Sequence, residues 1–220
     1  MMTDEATTRG WVDRLAALYT PVVADVLDRL GHRIQSLRAD IRPLARGMVA
    51  AGIARTVRTA PAPELATAEP YKGEMAAVDA LRPGDVMVVS ECHWSFWGEL
   101  LSTAARYRGC RGVVIDGYTR DTRAIIAMGF PVFCRGIHPA DSLGRLDVVE
   151  HDVPIHCGGV LVYPGDLILA DDDGIVVVPQ GVAEQALAAA EEKVRGENLV
   201  RKALAEGMSV TEAFRRYGVL

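Results

Sequence analysis

The sequence predicts a single α/β domain, a layered sandwich on a largely parallel sheet, with a helical C-terminal arm. Two observations predict it. Between residues 85 and 134, short β-branched runs alternate with helix-length segments, the order of a parallel βαβ sheet. Gly109 and Gly129 then fall where two of those helices must end.

The elements follow in order. Thr20 can cap a helix running to Gly31, with Pro21 in its first turn. Residues 47–59 read as a strand of small residues. Residues 60–70 carry Pro61, Pro63 and Pro70 and read as a loop. A short helix is expected over 75–81, and Pro83-Gly84-Asp85 turns into a strand at 85–90. Helix 98–108, strand 112–116, helix 121–128 and strand 131–134 come next. Residues 159–163, 166–170 and 174–179 are short apolar strands; the last two form a hairpin around Asp171-Asp172-Asp173-Gly174. A long helix over 182–205 and a short one after Ser209 complete the arm.

Composition narrows the function. The 220 residues can bury a full core and suit one domain. Half are hydrophobic, and the formal net charge is −5, with no basic block to bind nucleic acid and no apolar run to span a bilayer. The N-terminus lacks the apolar stretch of a signal peptide, so a cytoplasmic protein is expected. Cys92, Cys110, Cys134 and Cys157 are irregularly spaced and read as free thiols rather than disulfides or zinc ligands.

Chemistry concentrates in residues 97–122, where two strand-to-helix junctions lie close together. If their strands are parallel neighbours, both loops open at the carboxyl edge of the sheet, where α/β proteins bind ligands. The backbone of Gly98, Glu99, Leu100 and Leu101 starts a helix whose unpaired N–H groups suit a carboxylate or phosphate. Arg120 can complete a carboxylate clamp. Asp121 can hold a hard cation, since Mg²⁺ or Mn²⁺ keeps several waters and needs only one or two carboxylates. Glu99 can order one of those waters or act as a base. A plainer reading also fits: Asp121 caps its own helix and Arg120 is its surface partner. Periodicity does not choose between them.

The string WGELLSTAARYRG…RGVVIDGYTRD resembles the class II 4-hydroxy-4-methyl-2-oxoglutarate aldolases of the RraA-like superfamily. The similarity extends through TPVVADVLDRLG, IRPL, RPGDVMVV, PGDLILADDDGIVVVP and the ending GMSVTEAFRRYGVL. It implies a swivelling β/β/α fold, assembled as a homotrimer or homohexamer. It also implies a metal-dependent lyase that cleaves 4-hydroxy-2-oxo acids to pyruvate and decarboxylates oxaloacetate through the same enolate. By this resemblance Asp121 binds Mg²⁺ or Mn²⁺. Arg120 contacts the substrate carboxylate and carbonyl and stabilises the enolate, the amides of Gly98 through Leu101 hold the pyruvyl carboxylate, and Glu99 organises water at the metal. Relatives that carry aspartate at the Glu99 position place their carboxylate one bond shorter. The family also brings a C-terminal acid from a neighbouring subunit, for which Glu197 is the candidate here. A different class of reading is a non-catalytic regulator that binds ribonuclease E; such regulators lack the aspartate after the arginine and the long extension, both present here.

Other features have plain readings. A Schiff-base mechanism needs a lysine in a dry pocket, but Lys72, Lys193 and Lys202 lie on an expected loop and an expected exposed helix. No Gly-rich nucleotide loop supports a methyltransferase. His93, with Trp94, stands near the expected pocket mouth, and residues 92–96 are placed to read the distal half of a substrate. His138, His151 and His156 lack metal spacing. Phe214, Tyr217, Val219 and Leu220 suggest that the arm docks, with another subunit as the candidate surface.

Overall fold

Parity along the strands sorts the core into three layers. The computed structural model describes residues 5–62 and 69–219. Its helices and strands, in chain order, are α1 (Glu5–Leu15), α2 (Thr20–Arg29), β1 (Arg42–Pro43), β2 (Ala50–Pro61), α3 (Lys72–Asp79), β3 (Asp85–Val89), β4 (Ser95–Trp97) and α4 (Glu99–Tyr107). Then come β5 (Gly112–Thr119), α5 (Thr122–Met128), β6 (Val132–Ile137), β7 (Leu146–His151), β8 (Ile155–Cys157), β9 (Val160–Val162), β10 (Leu167–Ala170), β11 (Ile175–Val178), α6 (Ala183–Ala205) and α7 (Val210–Tyr217). The main sheet runs β1-β6-β5-β3-β2-β10-β11, with β4 alongside β5 and β7 alongside β2. Strands β2, β3, β5 and β6 are parallel neighbours.

Alternate residues of each strand face opposite layers. Met87, Val89, Val113 and Ile115 pack with Ala77, Val78, Ala105 and Ile125 from the helices α3, α4 and α5. On the same side, Ala51, Leu167, Leu169, Val176 and Val178 pack under α1, α2 and α6. The intervening residues Val86, Val88, Val114, Phe133 and Ile168 meet Ile155, Cys157, Val160 and Val162 of the separate β8–β9 hairpin. The layers are therefore helices, sheet and small hairpin, the expected β/β/α sandwich. Strand β3 is buried along its whole length, as the apolar run 86–89 requires in a sheet covered on both faces.

Several expectations change. Thr20 is not the cap of α2. Its N–H and hydroxyl donate to the Asp171 carboxylate at 2.8 and 2.6 Å, so the β10–β11 turn caps that helix from a distance. Asp171 also accepts from Asp173 N at 2.9 Å, which closes the expected hairpin turn. Residues 60 and 61 continue β2 as an edge strand against β7, where Pro61 loses no ladder bond that a central strand would need. Pro63 and Leu220 lie outside the described residues. The four cysteines are free and buried, as expected.

The C-terminal arm is docked on its own chain. Ala183, Ala186, Leu187 and Ala190 join the core under α2, and Arg14 of α1 bridges Glu184 and Glu191. Lys193, expected on an exposed face, is only 5% exposed and is neutralised by Asp25 at 2.6 Å and Glu197 at 3.3 Å. Ser209 caps α7 by accepting from Glu212 N. Among the described residues no helix is long and apolar enough to cross a membrane.

One close approach shapes the region of the site. After residue 115 the neighbour of β5 changes from β3 to β4, and the crossing chain donates Cys92 N to Asp116 O at 2.9 Å. A Cβ on Gly117 would overlap the Cys92 sulfur and carbonyl. Gly117→Ala is expected to lower stability by about 1–3 kcal/mol through overpacking, read as a fall in the urea midpoint with an unchanged slope. An unchanged midpoint would contradict this packing.

Candidate active site

The second junction lies later than the sequence suggests. Strand β5 runs through Asp116, Gly117 and Tyr118 to Thr119, so the turn into α5 consists of Arg120 and Asp121. Asp116 faces away from the junction, buried between Arg38 Nη2 at 2.8 Å and Gly158 N at 2.8 Å. Strand β4 pairs with the far end of β5, Ser95 opposite Tyr118 and Trp97 opposite Thr119. That pairing brings both junctions to one edge: Arg120 N donates to Trp97 O at 2.9 Å, and Thr119 Oγ1 donates to the same carbonyl at 3.0 Å.

Asp121 occupies the N-cap position of α5 in the left-handed conformation (φ 56°), yet makes no side-chain cap there. Its carboxylate turns to the other helix and accepts Glu99 N at 3.1 Å. Gly98, in extended backbone, leaves the room: a Cβ there would sit 2.6 Å from Asp121 Oδ2. The plain reading of Asp121 as a cap on its own helix is thereby set aside.

Between the junctions lies a cavity of about 300 Å³. Gly98, Leu100, Leu101, Arg120 and Asp121, five of the six expected site residues, line it. The N–H groups of Leu100 and Leu101 stand in the first helical turn, where they have no partner within the helix. Glu99 is the exception. It does not line the cavity, and its carboxylate accepts from Thr103 Oγ1 at 2.8 Å along the outside of α4. Ser95 and Phe96 line the cavity, as expected of the 92–96 segment, whereas His93 and Trp94 do not. Trp94 instead packs edge-on against His138.

Sequence reasoning missed Tyr71, Glu74, Met75 and Asp141. Glu74 and Met75 belong to a helix that begins three residues earlier than its apolar spacing suggests, and Tyr71 is its N-cap residue. Asp141 lies in the loop after β6, the strand next to β5, and carboxyl-edge logic applied to a third strand end would have reached it. Asp141 Oδ1 is 3.2 Å from Arg120 Nη2 and its other oxygen accepts from Tyr71 Oη. Burial opposes the Asp141 carboxylate. The hydrogen bonds from Tyr71 and Ser142 N, with the Arg120 charge, outweigh it and hold its pKa below the usual range. Tyr71 and Asp121 are two of the three non-glycine residues with positive φ among those described, and both line the cavity. Such strain collects at functional sites.

The donor set sets limits on a metal. No cluster of three His, Cys, Asp or Glu occurs among the described residues, so a protein cage for zinc is not provided. Asp121, half exposed at the cavity wall, fits a hard cation that keeps its waters and takes its remaining oxygens from a substrate. Glu197, the candidate acid from the arm, is engaged in its own chain by Tyr19 and Lys193.

The layered fold and the cavity at the sheet's carboxyl edge, with Arg120 and Asp121 on a largely apolar wall, define an α/β protein with a candidate small-molecule site. The sequence profile of the RraA-like family, described as Aldolase/RraA, matches residues 20–177, and the chain belongs to this family. It is 33% identical over 207 residues, 93% of each chain, to the "Putative 4-hydroxy-4-methyl-2-oxoglutarate aldolase" of Halalkalibacterium halodurans. A solved structure of an uncharacterized protein from Pseudomonas syringae pv. tomato superposes with a TM-score of 0.85 at 29% identity, covering 95% of this chain and 94% of that one. Streptomyces coelicolor RraAS2, an unusual member of the RNase ES inhibitor RraA protein family, superposes at 0.81 with 31% identity, covering 91% and 99%.

Burial pushes the Glu74 carboxyl up to about 7, with Asp141 and Asp147 adding to the rise and Ser142 and Arg120 opposing it. The folded state then binds more protons than the unfolded chain between pH 4.5 and about 7. Stability is lost as pH rises through that window. Glu74→Gln removes the titration, so the variant should gain about 3 kcal/mol on the wild type between pH 4.5 and pH 8. Urea unfolding at the two pH values measures this, and parallel pH profiles would contradict it.

Proposed function

We propose that the chain is a divalent-metal-dependent lyase that releases pyruvate from 4-hydroxy-2-oxo acids and from oxaloacetate. One observation carries the reading: the start of α4, the Arg120 guanidinium and the Asp121 carboxylate converge on one small cavity. The likeness to the Halalkalibacterium halodurans protein supports the same chemistry.

The substrate's C1 carboxylate takes the free first-turn amides of α4, where the helix dipole favours negative charge. Arg120, aligned by Asp141, sets its fixed charge beside the 2-oxo oxygen and stabilises the enolate that develops there. Asp121 would hold Mg²⁺ or Mn²⁺, which supplies Lewis acidity to the 2-oxo group when bound. Phe96 and Trp97, both about 1% exposed, give the inner wall apolar character and exclude water. A solvent base takes the 4-hydroxyl proton, the freed O–H pair forms the new C4 carbonyl, and the C3–C4 bond breaks with its pair becoming the C2–C3 π bond as the 2-oxo oxygen takes negative charge. Oxaloacetate reaches the same enolate by losing carbon dioxide. Glu99 could take the base role only by releasing Thr103 and swinging into the cavity.

The protein would work in the cytoplasm as a homotrimer or homohexamer. Leu100, 79% exposed, and Met75, 51% exposed, sit at the cavity and would be covered by a second subunit. The regulator reading draws on the likeness to RraAS2, but a cavity with these three groups gives it no advantage.

Pyruvate release from 4-hydroxy-4-methyl-2-oxoglutarate and oxaloacetate tests the reading. Wild type with Mg²⁺ should turn over at least one; chelator, or Asp121→Ala, should cut the rate by about 100-fold or more. Absence of pyruvate from both acids would move the regulator reading to the front.

A further inference from the structure

The cavity holds one carboxyl group that this chemistry leaves without a task. Glu74, in the first turn of α3, is 9% exposed and shares the cavity with Arg120 and Asp121. Its Oε2 lies 3.1 Å from Ser142 Oγ. Its Oε1 makes no hydrogen bond, and no fully buried side-chain oxygen among the described residues lacks a partner, so Oε1 is open to solvent on a residue that lines the cavity.

The serine connects Glu74 to the arginine. Ser142 Oγ is 3.4 Å from Asp141 Oδ1, and Asp141 pairs with Arg120. A hydroxyl has one proton to donate. The nearer acceptor, Glu74 Oε2, takes it, so the acid proton of a neutral Glu74 sits on Oε1, the oxygen with no protein partner.

The other ionisable groups of the cavity are poorly suited to deliver a proton. Arg120 keeps its charge. Asp141 is held ionised by its donors, and the Tyr71 proton is engaged by Asp141, which raises the tyrosine pKa. Asp121 is the metal carboxylate of the proposed reaction, and Glu99 lies outside.

We propose that Glu74 is the acid that protonates C3 of the pyruvate enolate, a catalytic role that rests on the lyase reading. The enolate's C2–C3 π pair forms the new C3–H bond as the Glu74 O–H bond breaks, and the C2=O double bond is restored. Glu74 is left as a carboxylate and regains a proton from water. In reverse, the carboxylate removes a C3 proton from pyruvate. Desolvation favours the neutral acid. The facing groups Asp141 and Asp147 reinforce it and Ser142 and Arg120 oppose it, so both forms are populated near neutrality, as a proton-transfer group requires.

Exchange of the pyruvate methyl protons in D₂O, followed by proton NMR with Mg²⁺ present, tests the assignment alongside calorimetric pyruvate binding. Wild-type exchange should rise across neutral pH as Glu74 ionises. Glu74→Gln should lower exchange about 100-fold or more while pyruvate still binds. Exchange at the wild-type rate in the variant would overturn the role of Glu74 and leave the lyase reading standing. Loss of pyruvate binding together with exchange would make Glu74 structural and overturn the role as well. Should the variant not fold, a wild-type profile flat from pH 6 to 8 would still contradict it. A wild type that exchanges no protons and releases no pyruvate would remove the lyase reading itself.

Discussion

The site depends on one carboxylate that serves the wrong helix. Asp121 stands at the start of α5 but accepts its hydrogen bond from the first residue of α4. That bond, with the pairing of β4 along the end of β5, fixes two loops from different parts of the chain against each other. A left-handed aspartate is tolerated because its short polar side chain can bond locally. Here the bond crosses to another element, so the strain is repaid by joining the two halves of the cavity.

Arg120 inherits its aim from this arrangement. Its backbone is tied to Trp97 and its guanidinium is held by Asp141, which Tyr71 steadies in turn. Three separate segments, the start of α3, the end of β5 and the loop after β6, thus set the position of one charge. A cation preorganised in this way needs little rearrangement when negative charge develops beside it. The apolar wall formed by Phe96 and Trp97 strengthens that interaction by lowering the local polarity.

Much of this was legible in the sequence. The alternation from β3 to β6 followed from β-branched runs and from Gly109 and Gly129 at helix ends, and five of the six expected site residues reach the cavity. Glu99 did not, because its reach is decided by a local choice: Thr103, one turn later, offers its carboxylate a partner outside. Asp141 and Glu74 were invisible to local pattern, since their meaning comes from contacts with residues 20 or more positions away, Arg120 and Ser142. The first helix was missed because its sequence is strongly polar, and its place comes from Trp11, Val12 and Leu15 packing under α6. Lys193 looked exposed because helical periodicity does not show that Asp25 of α2 waits opposite it.

The central claim is that one cavity holds the metal and the pyruvyl half of a substrate together. Crystals grown with Mn²⁺ and pyruvate test it most directly, because the anomalous signal of manganese locates the metal without assumption. The account predicts a single strong peak beside the Asp121 carboxylate, with pyruvate lying between the first turn of α4 and Arg120. Manganese bound elsewhere, or pyruvate absent from this cavity at saturating concentration, would contradict it.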